Sequence, residues 1–300
     1  AIILGAASFV SRLIGILRDR AFAHLFGAGP TLDAYYAAFR IPDLVYNLII
    51  VGALSAGFIP IFTGLWAKDK TEAWRVTSSI INILGLALIA LSALLFIFTP
   101  QLTAFLVPGF SPNDLSATVT LTRIMFLSPL ILGVSSIVSG VLQSLKSFFI
   151  YALTPIVYNL GIIFGAFFLV PALGVKGLAW GVILGALLHL SIQLPIFFKA
   201  GFKYQGRLLL KNKNVREIGR LMAPRALGLA TTQLNLLVIT VLASTVGAGS
   251  ISIFNFANNI QQFPVGIIGI SFAIAAFPTL SLLAAENKPE FLAHELSQTI

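Results

Sequence analysis

Eight stretches of this chain, near residues 2–26, 34–65, 76–106, 116–145, 149–171, 175–198, 217–246 and 250–284, stay apolar for about 20 residues or longer. That is the length an α-helix needs to cross the hydrocarbon of a bilayer. Hydrocarbon offers no water to the peptide groups, so each such stretch must satisfy its own backbone as a helix. The expected fold is therefore an all-α integral membrane protein of eight transmembrane helices, with the start of a ninth at 291–300. Composition agrees: 58% of residues are hydrophobic and 10% charged, against about 25% charged in soluble domains. The first stretch lacks the short apolar core and small-residue cleavage site of a signal peptide, and is read as a span. Interior prolines (Pro42, Pro60, Pro129, Pro155, Pro264 and Pro278) are expected to bend helices and free carbonyls. The chain opens on Ala1 without Met and ends within a new helical pattern, which reads as a piece of a longer protein.

The basic residues suggest an orientation. Lys68, Lys70 and Arg75 fall in the second connection, Lys146 in the fourth, and Lys288 after the eighth span. Lys199, Lys203, Arg207, Lys211, Lys213, Arg216 and Arg220 crowd the sixth, whereas the odd connections hold only Lys176. Positive charge stays on the cytoplasmic side, so the even connections and the N-terminus are expected there. The net charge of +9 thus has its source in topology, and no nucleic-acid partner is expected. The basic stretch 199–220 reads first as a solvated linker, and second as a lipid-headgroup patch.

The remaining basic residues, all arginines, lie inside spans: Arg12, Arg18 and Arg20 in the first, Arg40 in the second, Arg123 in the fourth and Arg225 in the seventh. Asp19, Asp33 and Asp43 accompany them. A charge at the centre of a spanning helix costs at least about 2.5 kcal/mol, so such residues normally face a bundle interior or a watery path. Arg12 and Asp19 are seven apart and share one face of the first helix, with Ser11 and Arg18 on the next stripe. A guanidinium grips phosphate oxygens with a two-pronged fork and keeps its charge in a low dielectric. The excess of cations points to an anionic ligand, and the aspartate also offers a site for a monovalent cation or a proton. The plainer reading has Arg18, Asp19 and Arg20 tying helices together through ion pairs, Arg20 also able to reach for the outer interface, and Arg123 either tying helices or reaching for an interface.

The chain also repeats itself. Gly27-Ala28-Gly29 precedes an aromatic helix around Tyr35–Pro42 that ends in 53–62, closing at Pro60. Gly247-Ala248-Gly249 precedes Phe254–Pro264 and a close at 272–280 that contains Pro278. Six spans separate the copies, an even number, so both run in the same direction. The expected division is a first six-helix lobe at 1–206 and the beginning of a second at 207–300, arranged as a parallel pseudo-repeat around a central cavity.

Several motifs look like those of one family. Ser11-Arg12-Leu13-Ile14-Gly15-Ile16-Leu17-Arg18-Asp19, Phe26-Gly27-Ala28-Gly29, Asp33-Ala34-Tyr35, Ile41-Pro42-Asp43-Leu44 and the run 52–60 resemble the MurJ (MviN) lipid II flippases. Pro224-Arg225-Ala226-Leu227-Gly228 and Gln262-Phe263-Pro264 resemble the same family, so the likeness spans the chain. It implies the multidrug/oligosaccharidyl-lipid/polysaccharide exporter fold, two lobes facing each other across a cavity in a bacterial inner membrane. It implies that an undecaprenyl-pyrophosphate-linked peptidoglycan precursor crosses the bilayer by alternating access without a nucleotide. The family's functional residues then fall on Ser11, Arg12, Arg18, Asp19 and Asp33. Two cavity arginines of the family do not carry over, one meeting Tyr46 and the other Asn259. Arg225, with Arg40 as a further candidate, is expected to replace the lost charge, and Arg18 and Asp19 to face the cavity between lobes.

Other chemistry is thin. The absence of Cys excludes disulfides and thiolate sites from the chain, and His24, His189 and His294 lack metal-ligand spacing. No phosphate-binding glycine loop, zinc motif or nucleophile elbow occurs, so neither catalytic residues nor a cofactor is expected. Gln143, Asn159, His189 and Gln193 read as hydrogen-bonding glue between helices. Thr231, Thr232, Gln233 and Asn235 are weaker candidates for a cavity lining. Export of another polyprenyl-linked glycan, or a non-transporting envelope scaffold, are the competing functions.

Overall fold

The structure, a computed structural model, describes residues 2–51 and 57–265. The closing segments of both repeats (53–56 and 272–280), Pro278, Lys288, the later part of the eighth span and the ninth helix lie outside the described residues. Among the described residues the chain is helical apart from short connections, and Ala1–Ile253 form one compact unit.

The first span is α1 (Ile2–Phe26). The second comprises α2 (Pro30–Tyr46), a π-helical stretch at Asn47–Val51 and α3 (Ile59–Lys68). The third is α4 (Lys70–Ile97) with α5 (Thr99–Leu106), and the fourth α6 (Pro112–Met125) with α7 (Leu127–Ser144). The fifth runs through α8 (Phe148–Phe164), a π-helical Gly165–Leu169 and α9 (Val170–Leu173). The sixth is α10 (Lys176–Ser191) with α11 (Leu194–Lys199). The seventh is α12 (Lys213–Val246), and α13 (Ser250–Pro264) opens the eighth. Five of these, Lys70–Ile97, Pro112–Ser144, Phe148–Leu173, Lys176–Lys199 and Lys213–Val246, are long and apolar enough on their own to cross a membrane. The first span is dense in charge, and the second and eighth are not continuous over the described residues.

Proline governs the breaks. Pro60, Pro100, Pro171 and Pro195 each sit in the first turn of a new helical piece, where a missing N–H costs nothing. Hydroxyls cover carbonyls that proline leaves open. Thr99 Oγ1 donates to the Phe96 carbonyl four residues before Pro100 (2.9 Å), and Thr154 Oγ1 to the Tyr151 carbonyl four before Pro155 (2.8 Å). Pro224, in contrast, sits inside α12 without interrupting it.

Two ends are distinct. At one, the sixth connection is strapped along α4: Asn82 Nδ2 donates to the Gln205 carbonyl at 2.9 Å, Leu209 N to Ser79 Oγ at 2.9 Å, and Asn212 Nδ2 to Glu72 Oε1 at 2.7 Å. The linker is solvated, with Lys203, Arg207 and Lys211 exposed, and is at the same time pinned along α4 by these bonds. Beneath it Trp74 meets Phe62, Phe197 and Phe202 at centroid distances of 5.6, 5.8 and 5.5 Å. At the opposite end the turns of the two repeats meet. Gly249 (φ +90°) lies against the Ala28 carbonyl, where a Cβ would come within 2.6 Å, so a side chain is excluded there. The second and sixth connections thus share one end, and the first, third and seventh the other.

Glycine also sets how closely two helices approach. α8 and α10 pack along Gly161 and Gly165 on one side and Gly177, Gly181 and Gly185 on the other. A Cβ on Gly181 would stand 2.7 Å from the Gly165 Cα, and one on Gly161 would collide with Gly185. This small-residue spacing lets two backbones touch where lipid supplies no hydrophobic drive. It brings Tyr158 of α8 beside His189 of α10, ring centroids 6.4 Å apart.

Candidate functional site

α1 packs on α8, and Arg18 is the link between them. Its Nε and Nη2 donate to Asp19 Oδ1 at 3.0 and 2.8 Å, and its Nη1 donates to Asn159 Oδ1 at 2.9 Å. Asn159 is oriented in turn by donating Nδ2 to the Pro155 carbonyl at 2.9 Å. The fork is thus held, yet the Arg18 side chain keeps 20% of its surface exposed. It faces a cavity of about 390 Å³ lined by Phe39, Asp43, Tyr46, Asn47, Leu132, Pro155, Tyr158, Ile162 and His189. These residues come from α2 and its π-helical extension, α7, α8 and α10, all within the first six spans.

The walls are braced from behind. Tyr46 Oη and Ser136 Oγ share a hydrogen bond of 2.7 Å. Ser139 Oγ donates to Gln193 Oε1 at 2.7 Å; Gln193 Nε2 donates to Ser135 Oγ at 2.8 Å and to the His189 carbonyl at 2.7 Å. Ser135 Oγ lies 2.7 Å from His189 Nδ1. The polar residues read as glue, Asn159, His189 and Gln193, do join helices, and His189 also lines the cavity.

The other expected site residues separate into groups. Ser11 and Arg12 lie half-buried on α1 and Arg20 is exposed there. Arg40 Nε donates to Thr240 Oγ1 on α12 at 2.8 Å. Asp33 is 1% exposed and caps the start of α13: Oδ2 accepts from Gly249 N (2.6 Å), and Oδ1 from Ser252 N (2.8 Å) and Ser252 Oγ (2.6 Å). Three bonds leave that carboxylate little room for another ligand. Arg225 is exposed on α12, and among the described residues no hydrogen bond or ion pair holds it. Asn259 lies half-buried on α13, in the second unit (Phe254–Ile300). Arg123 stacks over the Phe96 ring at 5.1 Å, the helix-tying role, while Thr231, Thr232 and Asn235 are exposed. Asp43, Tyr46, Asn47 and Tyr158 line the cavity without having been singled out as site residues. The available signal was the one-turn spacing of Asp43 and Asn47, two polar residues on one face of the second span.

A family model for lipid II flippase MurJ matches residues 22–300. The chain belongs to the MurJ lipid II flippase family. A MurJ relative named a probable lipid II flippase, from Buchnera aphidicola subsp. Acyrthosiphon pisum, is 33% identical over 91% of this chain and 55% of its own length. One named lipid II flippase MurJ, from Burkholderia cenocepacia, is likewise 33% identical over 91% of this chain and 55% of its own. The chain therefore spans little more than half the length of these MurJ relatives. It superposes on a structure of lipid II flippase MurJ in an inward closed conformation with a TM-score of 0.81. The two are 27% identical, covering all of this chain and 62% of that one. An inward-facing multidrug transporter of the MATE family, of the MOP superfamily, matches with a TM-score of 0.73 at 16% identity, covering 96% of this chain and 66% of that one. That second likeness speaks to the fold, an all-α membrane architecture common to both groups.

Proposed function

We propose that this chain forms the first six-helix lobe (1–206) and the beginning of the second (207–300) of a lipid II flippase in a bacterial inner membrane. In this reading the N-terminus and the strapped sixth connection face the cytoplasm. An undecaprenyl-pyrophosphate-linked peptidoglycan precursor enters between the lobes and leaves on the outer side by alternating access, with no catalytic step and no cofactor. The observation that carries the reading is Arg18: a guanidinium fixed by Asp19 and Asn159 yet open to a polar cavity, in a chain of the MurJ family. A fixed donor of this kind suits a pyrophosphate, whose charges need several hydrogen bonds away from water. Arg12, Arg18 and Arg40 supply the first lobe's cations and Arg225 the second lobe's, with Asn259 a polar donor on the following helix. The contact of the Gly27 and Gly247 turns closes the outer end, and a monovalent cation or proton accompanies the cycle.

The test is complementation by the full-length protein in cells depleted of their own lipid II flippase. Arg18→Ala should lose growth support while still inserting, and Arg225→Ala should weaken lipid II binding. Unimpaired complementation by Arg18→Ala would remove its assigned role. The 2.8 Å Arg18–Asp19 ion pair also favours a second reading, an envelope scaffold in which the pair merely holds α1. Under that reading the parent protein itself fails to complement.

A further inference from the structure

The two carboxylates nearest the cavity are held in opposite ways. Asp19 accepts two bonds from Arg18, so its charge is answered within α1. Asp43 lines the cavity, and among the described residues no hydrogen bond or ion pair reaches its carboxylate. Asn47 donates to the backbone carbonyl of Asp43 instead (2.8 Å), and Arg40, one turn earlier, turns its Nε to Thr240.

The groups that face Asp43 are few. Its own helix contributes the Arg40 guanidinium, whose charge acts on Asp43 from one turn earlier, and Tyr46, whose hydroxyl is engaged by Ser136; α1 contributes Arg18, α8 Tyr158 and α10 His189. α7 carries no titratable side chain, and the Arg123 of α6 is stacked on Phe96. The titratable residues of α4 (Lys70, Glu72 and Arg75) sit in its first turns, by the sixth connection.

The state of His189 follows from its network. A backbone carbonyl can only accept, so the 2.7 Å bond from Gln193 to the His189 carbonyl fixes that side-chain nitrogen as a donor. The same nitrogen donates to Ser135 Oγ, and among the described residues the Ser135 hydroxyl has no acceptor but His189 Nδ1. Nδ1 therefore accepts, and the ring proton of the neutral imidazole sits on Nε2. Adding a proton to Nδ1 would reverse the Ser135 bond and leave the Ser135 hydroxyl proton without an acceptor among the described residues, so the network opposes an imidazolium. The group left to take up positive charge is Asp43.

We propose that Asp43 is a proton-exchanging site within the first six spans. One proton from cavity water forms an O–H bond on the carboxylate and leaves by the same route, with no change of oxidation state. Arg18 and the Nε2–H of His189 are donors suited to the deprotonated form. A metal cation suits the site less well, because Arg18 fixes a positive charge on the wall and His189 offers it an N–H in place of a lone pair. As the coupling ion of a transport cycle this proton rests on the function proposed above; the binding itself does not.

The experiment is infrared difference spectroscopy of the full-length protein in lipid nanodiscs, titrated with acid in sodium and in choline buffers. The expected result is a carboxylic-acid C=O band that titrates, is lost in Asp43→Asn, shifts in frequency in Asp43→Glu, and persists in Asp19→Asn. Circular dichroism establishes that each variant is folded, and Asp43→Glu keeps the assignment open to refutation if Asp43→Asn is not. A band unchanged in both Asp43 variants, or lost in Asp19→Asn, overturns the proposal. A midpoint that moves when sodium replaces choline overturns it in favour of a metal cation. Lipid II translocation by the same preparation is scored separately: its absence with the band intact refutes the transport reading and leaves the proton site standing.

Discussion

The two flanks of α2 carry opposite chemistry in similar volumes. On one side Phe39, Asp43, Tyr46 and Asn47 look into the polar cavity of about 390 Å³. On the other, Ile41 and Leu44 join Leu95, Leu102, Phe105, Leu106, Leu234, Leu237, Val238, Val241 and Leu242 around a wholly apolar groove of about 430 Å³. One helix supplies both walls because residues one turn apart share a face and those two apart do not. The neighbours then decide the outcome. α8 and α10 approach through glycines and carry Tyr158 and His189; α5 and α12 meet α2 with Leu and Val, and Arg40 bridges to Thr240. Polar groups on the first flank are held by hydrogen bonds at Arg18, Tyr46 and His189, with the Asp43 carboxylate as the exception among the described residues, whereas the second flank relies on packing area.

That contrast can be broken at the polar flank first. Gly181→Leu forces bulk into the Gly165 backbone and should cost about 3 kcal/mol or more, because overpacking against main chain cannot relax. Loss of monodisperse protein in detergent gel filtration is the expected result; a well-behaved variant would mean that the α8–α10 approach does not set the cavity. Next comes Gln193→Leu, which strips partners from the buried Ser135 and Ser139 and should cost about 1–3 kcal/mol. The drop in Tm should be seen with His189 still present, and an unchanged Tm would contradict the bracing role given to the network. The smallest effect belongs to the groove. Ile41→Val removes one methylene at a packed apolar wall and should cost about 0.5–1.5 kcal/mol, with lipid II transport unaffected. A larger loss of activity than of stability there would show that the groove does more than fill space.

The spans were legible because an apolar run of membrane length admits one solution, and the edges of α1, of the fifth span (Phe148–Leu173) and of α12 fall within a few residues of their expected places. Breaks were partly legible. Pro155 and Pro129 were expected to bend helices, yet the restarts at Pro100, Pro171 and Pro195 lie near span ends, where hydropathy hardly changes. Charged residues in hydrocarbon announced Arg18 as a site candidate. Nothing in the sequence said that its partner would be Asn159 at a separation of 141 residues, since periodicity gives a face and not the neighbour that covers it. Asp33 shows the same limit from the other direction. It was read as a ligand-binding acid by resemblance, and its three hydrogen bonds make it the cap of a helix that begins more than 200 residues later.

That distance has a consequence in time. A ribosome adds about 5–20 residues per second, so Asp33 enters the membrane on the order of 10–40 s before Gly249, 216 residues downstream, has been made. Throughout that interval the carboxylate has none of its eventual partners. Its place beside a turn, at the very start of α2, lets water serve as a temporary partner until Gly249 and Ser252 arrive, and the late exchange of that water fastens the start of α2 to the turn that opens α13.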